Sequence, residues 1–569
     1  MSSYGDFSGY LEWVRRYDTR DEPAREAIRA RAAALAVRPL FSLVLLETGG
    51  PSPDIEASLA ALRAQLYPEW ELWVAPQLAA DEARVRGIAA ASCGCMASLF
   101  EAGLDAAQGM FVLPLLAGAV LAEHALCVLA EAIAEDPEVD ILYGDEDRLD
   151  AGGNRCLPWF KTAWDPELAL GRDAVGLPVA YRTRFLRQIG DTGERDAGGE
   201  ALLYALSLRA GFATPPTRIR HLPMILCHRR QAAWDAEAAR AIVRRHLAER
   251  WEGAQVVPAP LAPQWSRVIR PLPSPTPLVS ILVPTRDRAD LLRRAAEAVL
   301  TRTDYPAFEL MVIDNASREP EACVLLRALA ADKRVRVLAA PGPFNFSALC
   351  NRAAREARGE ILLLLNNDID VIGRDWLEEL VSHAVRPEVG AVGARLLYPD
   401  GRLQHGGMVL GPGSVTNHQF RFASRHDPGP QGECALTRRV SAVTGACLAV
   451  RRAVYFEVGG MNETDFVVAF SDVDFCLRIG DYGYRIVWTP FAELIHFESA
   501  TRGYDDTPEK RAVSEKEQRA YRTIWGAVLD RDPYYNPNLE QGWERLALAA
   551  PPRRPRGALS QMFGDHTND

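Results

Sequence analysis

Apolar positions gather in short runs separated by helix-length amphipathic stretches. "RPLFSLVLLETGG" (38–50) and "TPLVSILVPTRDR" (276–288) each give a β-rich run closed by polar or glycine residues. "LYPEWELWVAPQ" (66–77) and "DYPAFELMVIDN" (304–315) follow at matching distances, and "ADLLRRAAEAVLTR" (289–302) reads as a helix. "GMFVLPLLAGAVL" (109–121) and "EILLLLNNDIDVI" (360–372) share an outline, but only the second ends in acids. Residues 10–37 read as one or two amphipathic helices. This alternation predicts open, largely parallel α/β sheets with helices on their faces.

The pattern occurs twice. Pro39 and Pro277 lie 238 positions apart, as do Pro68 and Pro306; Gly109 and Gly359 lie 250 apart, and His228 and His496 lie 268 apart. An offset that only grows is what duplication followed by loop insertion leaves. The expected division is a helical segment over 1–37, a first α/β domain over 38–230, a helical and proline-rich linker over 231–276, a second α/β domain over 277–545, and a loose tail over 546–569.

Composition narrows the function. A formal charge of -10 over 569 residues offers no basic field for a nucleic-acid backbone, so no nucleic-acid partner is expected. The ten cysteines show no zinc spacing and read as thiols of a reducing compartment. No apolar run approaches a membrane span and the start of the chain has no signal-peptide layout. The expected location is cytoplasmic, with peripheral contact on the inner face of the membrane left open.

Ligands of open α/β sheets sit beyond the carboxyl ends of the strands. "LLLLNND" delivers Asp368, and Asp370 two residues on, to that edge, where a magnesium or manganese ion takes one or two carboxylates plus phosphate oxygens. A solvated turn has the same look, so the pair alone is weak. "VIDNAS" ends a second strand in Asp314, "VPTRDR" ends the first near Asp287, and "AFSDVDFCLR" sets Asp472 and Asp474 among apolar residues, where acids tend to have altered pKa values.

In this order, "PTRDR", "VIDN", "LLLLNND", "LQHGGMVLG", "VSAVTGACLAVRR", "AFSDVDFCLR" and "HFESATRG" resemble an inverting family 2 glycosyltransferase of the GT-A fold, of a two-module type that builds bacterial surface polysaccharides. The resemblance runs from about residue 10 to 540 and implies two tandem GT-A domains. It implies a nucleotide-diphosphate sugar donor, UDP- or dTDP-linked, a glycan or lipid-linked glycan acceptor, and a divalent metal, Mn2+ or Mg2+. By the same resemblance Asp368 holds the metal, Asp370 stands just past the motif, and His496 completes the shell. Pro284, Thr285, Asp287, Asp314, Asn345, Ser347, Asn351, Asn366 and Asn367 line the donor site, Asn366 standing where the family has an aspartate. Asp472 matches the general base, with Ser471 where the family more often has Glu or Asn; Gly445, Asp474 and His405 lie on the acceptor side or support it.

The first half departs from this pattern. Leu116, Ala117 and Gly118 stand where the metal motif would lie, Pro76 opposite Asp314 and Gly49 opposite Asp287, and 194–211 has no clear match to the acids at 472 and 474. A degenerate, inactive first module is expected. Its Asp145, Glu146 and Asp147 read as inherited architecture in preference to an acceptor groove. Two rival readings remain: a non-catalytic glycan-binding scaffold, favoured by Asn366 and Ser471, and a phosphohydrolase with Asp368 as nucleophile and Asp370 as acid. The second wants a downstream lysine, for which only Lys510 and Lys516 serve.

Overall fold

The computed structural model describes the chain outside residues 1–4, 80–81, 90–93, 191–192, 195–196, 231–233, 412–415, 499–506, 530, 541–545 and 554–569. The chain divides into two compact units, one of residues 6–268 with 535–540 and 546–569, the other of 1–5, 269–534 and 541–545.

The unit built on 6–268 holds β1 (Phe41–Leu46), β2 (Trp70–Val74), β3 (Val85–Gly87), β4 (Phe111–Leu116), β5 (Val120–Leu121), β6 (Ile141–Leu149), β7 (Val179–Arg182) and β8 (Ile219–Arg229). They lie in the order β3-β2-β1-β4-β7-β6-β8-β5. The unit built on 269–534 holds β9 (Val279–Thr285), β10 (Phe308–Asp314), β11 (Val335–Ala339), β12 (Ile361–Leu365), β13 (Ile369–Val371), β14 (Val389–Leu397), β15 (Cys447–Arg451) and β16 (Arg485–His496). Their order is β11-β10-β9-β12-β15-β14-β16-β13, the same path with eight added to every label. In both, a parallel block of four strands meets one strand antiparallel to both its neighbours, then a parallel pair.

A buried polar network repeats as well. Ser42 Oγ donates to Glu71 at 2.6 Å and accepts from Gly109 N at 2.8 Å; Ser280 Oγ donates to Glu309 at 2.6 Å and accepts from Gly359 N at 2.8 Å. Tyr67 donates to Pro39 O at 2.9 Å and Tyr305 to Pro277 O at 2.8 Å. Each glycine is obligatory: a Cβ on Gly109 would stand 2.6 Å from Leu40 O, and one on Gly359 2.5 Å from Ser280 N.

The apolar runs lack a polar face because both faces of the sheet are covered. Ile361, Leu363 and Leu365 enter one core with Val279, Ile281 and Val283, while Leu362 and Leu364 enter the other with Leu282 and Met311. Two of the expected segments do not stand apart. Helices Tyr10–Tyr17 and Glu22–Ala33, and the helix Ala236–Ala248 with strands Gln255–Ala259 and Ala262–Ile269, fall almost wholly within the first unit, so the division lies at 268/269. Tyr10 donates to Asp147 at 2.6 Å and Trp13 to Ala549 O at 2.8 Å, which ties the N-terminal helix into that unit.

Candidate active site

In the second unit β9, β10 and β12 run parallel, so Thr285, Asp314 and the turn after Leu365 reach one edge. Polar groups stitch that edge together. Asn367 Nδ2 donates to Thr285 Oγ1 at 3.0 Å and Asn315 N to Thr285 O at 2.9 Å. Asn315 is buried, donates to Ala340 O at 2.8 Å, and leaves its Oδ1 without a hydrogen bond. Pro284 is buried within β9, opposite Ile313.

Asp368 and His496 meet here. Strand β13 pairs antiparallel with β16 so that Ile369 lies opposite His496, and Asp368 Oδ1 stands 3.2 Å from His496 Nε2. Gln404 sets the imidazole. Its Nε2 donates to Glu498 at 3.1 Å, so its Oε1 accepts from His496 Nδ1 at 2.8 Å. The Nε2 lone pair of His496 then faces outward, and Asn366 Nδ2 approaches it at 3.3 Å. Asp368 Oδ1 is buried and accepts no hydrogen bond. Two acceptor atoms 3.2 Å apart in a buried turn repel unless a proton or a metal cation lies between them. Two ligands of an octahedral ion at about 2.1 Å, at right angles, stand about 3.0 Å apart. This imidazole–carboxylate pair therefore fits a divalent ion, with Gln404 supplying the support that fixes a ligating histidine. Asp370 does not join them: its carboxylate pairs with Arg302, whose other nitrogen donates to Val371 O. Among the described residues no group of three or more His, Cys, Asp or Glu is arranged for a metal, so an ion here would draw its remaining ligands from substrate and water.

Asp472 is the second residue of the helix Ser471–Asp481. Its Oδ2 accepts from Gly445 N at 2.8 Å and its Oδ1 from Val473 N at 2.9 Å. Burial pushes its carboxyl above the ordinary value, and those two N–H groups pull it part of the way back. The side chain is nevertheless partly accessible. Thr444–Gly445–Ala446 links the two centres, since Asn366 N donates to Ala446 O at 3.1 Å next to the glycine that holds Asp472. Asp474 faces away, accepting from Arg478 Nε at 2.9 Å and Trp525 Nε1 at 3.0 Å.

Other expected site residues are spent on the scaffold. Asp287 accepts from Arg318 N at 2.6 Å and Glu319 N at 2.9 Å, and the N–H of Glu319, then of Arg318, holds its carboxyl below the ordinary range. Asp314 accepts from Ser317 N at 2.9 Å in the same loop. Asn345, Ser347 and Asn351 all hold the segment 461–467: Asn345 donates to Glu463 O at 2.9 Å, Ser347 to Phe466 O at 2.6 Å, and Asn351 to Met461 O at 2.8 Å. His405 is fully buried, 2.8 Å from His418. Ser499 to Gly503 of the "HFESATRG" stretch lie outside the described residues.

Sequence reasoning reads the stretch around Lys510 and Lys516 as charged and helical, and the helix Pro508–Leu529 is there, but its packing role went unseen. Glu517 accepts from Val467 N at 2.8 Å, Val468 N at 3.1 Å and Ala469 N at 2.7 Å, just before Ser471. Tyr521 stacks on Phe470 and Trp525 holds Asp474. Residues 517, 521, 525 and 529 recur every four positions and are buried, a stripe visible in the sequence that carried one unexplained acid.

In the first unit the corresponding edge is filled. Leu116 packs so closely on Gly199 that a Cβ there would lie 2.5 Å from it. Glu200, second residue of the helix Gly199–Ala213 as Asp472 is of its own helix, accepts from Arg229 at 2.6 Å. Arg229 follows His228, which pairs with β5 as His496 pairs with β13, and it also binds Glu146 at 2.9 Å. Asp145, Glu146 and Asp147 are wholly buried and partnered by His221, Lys161, Arg155 and His228, so they line no groove.

Residues 280–456 match the family model described as Glycosyl transferase family 2. An uncharacterised protein of Sinorhizobium fredii is 37% identical over 558 residues, covering 93% of this chain and 61% of that one. An O-antigen biosynthesis protein of Myxococcus xanthus is 39% identical over 546 residues, covering 91% of this chain and 42% of that one. An N-acetylglucosaminyl-diphospho-decaprenol L-rhamnosyltransferase of Mycobacterium tuberculosis is 27% identical over 257 residues, 40% of this chain and 79% of that one. The chain thus spans 61% and 42% of the length of the first two relatives. Among solved structures, a mannosyltransferase of Pyrobaculum calidifontis in complex with GDP-Man and Mn2+ matches with a TM-score of 0.33 and 20% identity, over 51% of this chain and 74% of that one.

Proposed function

Because the chain carries a glycosyl transferase family 2 domain over residues 280–456, we propose that its second unit transfers a sugar, with inversion, from a nucleotide-diphosphate donor, UDP- or dTDP-linked. The acceptor is a hydroxyl of a glycan or lipid-linked glycan, in surface polysaccharide assembly. The observation that carries this reading is the Thr444–Gly445–Ala446 segment, which holds Asp472 through one backbone group and the Asn366–Asp368 turn through the next. A base and an anion-facing turn fixed by adjacent peptides suit a single in-line displacement.

Asp472 takes the proton of the attacking hydroxyl. A carboxyl raised by burial is a stronger base than a solvated one, and such assistance contributes about 10²–10⁴-fold. The N–H groups of Gly445 and Val473 keep the carboxylate oriented. Asp368 and His496 would hold Mn2+ or Mg2+, which when bound stabilises the charge that grows on the leaving diphosphate. Arg302 engages Asp370, so the acid of the phosphohydrolase reading is already in use. The O-antigen biosynthesis relative supports the polysaccharide setting. The first unit acts without catalysis, its strand edge closed by Leu116 and the Glu200–Arg229 pair. The proposed location is cytoplasmic, in contact with the inner face of the membrane; no helix among the described residues is long and apolar enough to cross one.

The test is stabilisation by UDP, dTDP, GDP and CDP with and without manganese, followed by turnover of the matching nucleotide sugar. Metal-dependent stabilisation lost in Asp368→Ala, with turnover lost but binding kept in Asp472→Asn, supports the proposal. No stabilisation by any nucleotide refutes it in favour of a scaffold, and wild-type turnover in Asp472→Asn refutes Asp472 as the base.

A further inference from the structure

Two histidines beside this site have no role in the mechanism above. His405 ends the strand Leu403–His405 and His418 ends the strand Thr416–His418, which pairs with Met408–Leu410. Their Nδ1 atoms lie 2.8 Å apart with the rings nearly perpendicular, at 79°. Thr444 N approaches His405 Nε2 at 3.5 Å, a long contact, but one that only a lone pair can accept. Burial, with His418 and then Arg438 nearby, drives the His405 imidazole well below its ordinary pKa, and burial brings His418 down to about 4. Both rings are therefore neutral at physiological pH and each carries one proton.

The geometry fixes where those protons sit. A backbone N–H can only donate, so His405 Nε2 is bare and its proton is on Nδ1. Two Nδ1 atoms at 2.8 Å share one proton, so His405 donates and His418 accepts. The proton of His418 is then on Nε2, which has no hydrogen-bond partner among the described residues. The chain of donors runs from Thr444, whose neighbour Gly445 holds Asp472, through His405 to a free N–H on His418. His418 lies in the field of Glu498, Arg421 and His496, the groups around the Gln404–His496 pair. A sugar offers hydroxyl and ring oxygens and no charge, and an uncharged donor held in one orientation matches it.

We infer that His418 contacts the substrate, donating its Nε2–H to an oxygen of a sugar, with His405 as the positioning residue that fixes the tautomer. This rests on the transferase reading of the second unit. The oxygen belongs to either the transferred or the accepting sugar, and the two are separable because only the first is needed for hydrolysis of the donor by water.

The experiment uses the full chain with manganese and a panel of UDP-glucose, UDP-N-acetylglucosamine, dTDP-L-rhamnose and GDP-mannose, with alkyl glucoside and alkyl rhamnoside acceptors. In parallel, 15N-histidine spectra report the protonated nitrogen of each ring. The inference expects a proton on His405 Nδ1 and on His418 Nε2. It expects His418→Phe to lose about 10–100-fold in kcat/KM while UDP–manganese stabilisation is kept, and His418→Gln, which retains an N–H at that reach, to recover most of the loss. Equal loss in hydrolysis and transfer assigns the oxygen to the donor sugar, and loss in transfer alone to the acceptor. Unchanged kcat/KM in His418→Phe, equal losses in the Phe and Gln variants, or a proton on His418 Nδ1 would overturn it. If the wild type turns over no donor, the transferase reading falls by itself and the spectra decide this one. A His418 Nε2–H resonance that moves on adding the sugars upholds the contact, and one that does not move overturns it.

Discussion

Replacing Glu517 with alanine should damage both the stability of the second unit and its turnover. The carboxylate is 1% exposed and accepts three backbone N–H groups, from Val467, Val468 and Ala469, at 2.8, 3.1 and 2.7 Å. Hydrogen bonds to a charged group contribute about 1.5–3 kcal/mol each, but they are not additive, and water entering the cavity recovers part of the loss. A net cost of about 3–5 kcal/mol follows, the range for breaking a buried charged network. For a unit of this size that is about 6–20 °C in its unfolding transition. The three amides lie just before Ser471 and Asp472, so the proposed base loses its alignment as well, and a displacement of about 1 Å costs about 10²-fold in rate. Calorimetry of the full chain reads the first effect, and turnover at a temperature where the variant is folded reads the second. Glu517→Gln, which puts an amide N–H against one of the three donors, should fall between. An alanine variant with unchanged transition and rate would show that the helix Pro508–Leu529 does not hold the loop before Asp472.

Three further outcomes follow from the same contacts. Burial alone would raise Glu146, but Arg229, then Lys161 and Arg148, hold it at about 2 against an ordinary 4.5. A folded-state value below the unfolded one means stability present above about pH 4.5 and lost as pH falls toward 2, about 3 kcal/mol in all; acid scans of the first unit's transition should show this loss, and Glu146→Gln should flatten it. Gln404→Leu removes the acceptor that orients His496 and should weaken manganese-dependent nucleotide binding about 10–100-fold, read by titration, with the fold intact. Gly359→Ala and Gly109→Ala should each depress the unfolding transition of their own unit by a similar amount, since the new Cβ meets backbone at 2.5 and 2.6 Å in the same repeated network.

The repeat was legible because it is written in local residues. Pro39 and Pro277 share an offset with Tyr67 and Tyr305, and the structure joins each proline carbonyl to its tyrosine. Gly109 and Gly359, at their longer offset of 250, are likewise each fixed by a serine hydroxyl. The glycine at that turn and the acid after a buried strand are demands of single peptides, and they survive as spacing.

Sequence alone thus determined the two α/β sheets and the edge to which Asn366, Asn367 and Asp368 are delivered. Apolar period and strand-end polarity depend only on neighbours along the chain. Tertiary structure decided which polar side chain meets which backbone group across a hundred residues. It turned Asn345, Ser347 and Asn351 toward 461–467, gave Asp370 to Arg302, set Gln404 behind His496, and brought Glu517 under the loop before Asp472. Such hydrogen bonds are made by one side chain each, at separations fixed by packing, and they leave no period in the sequence.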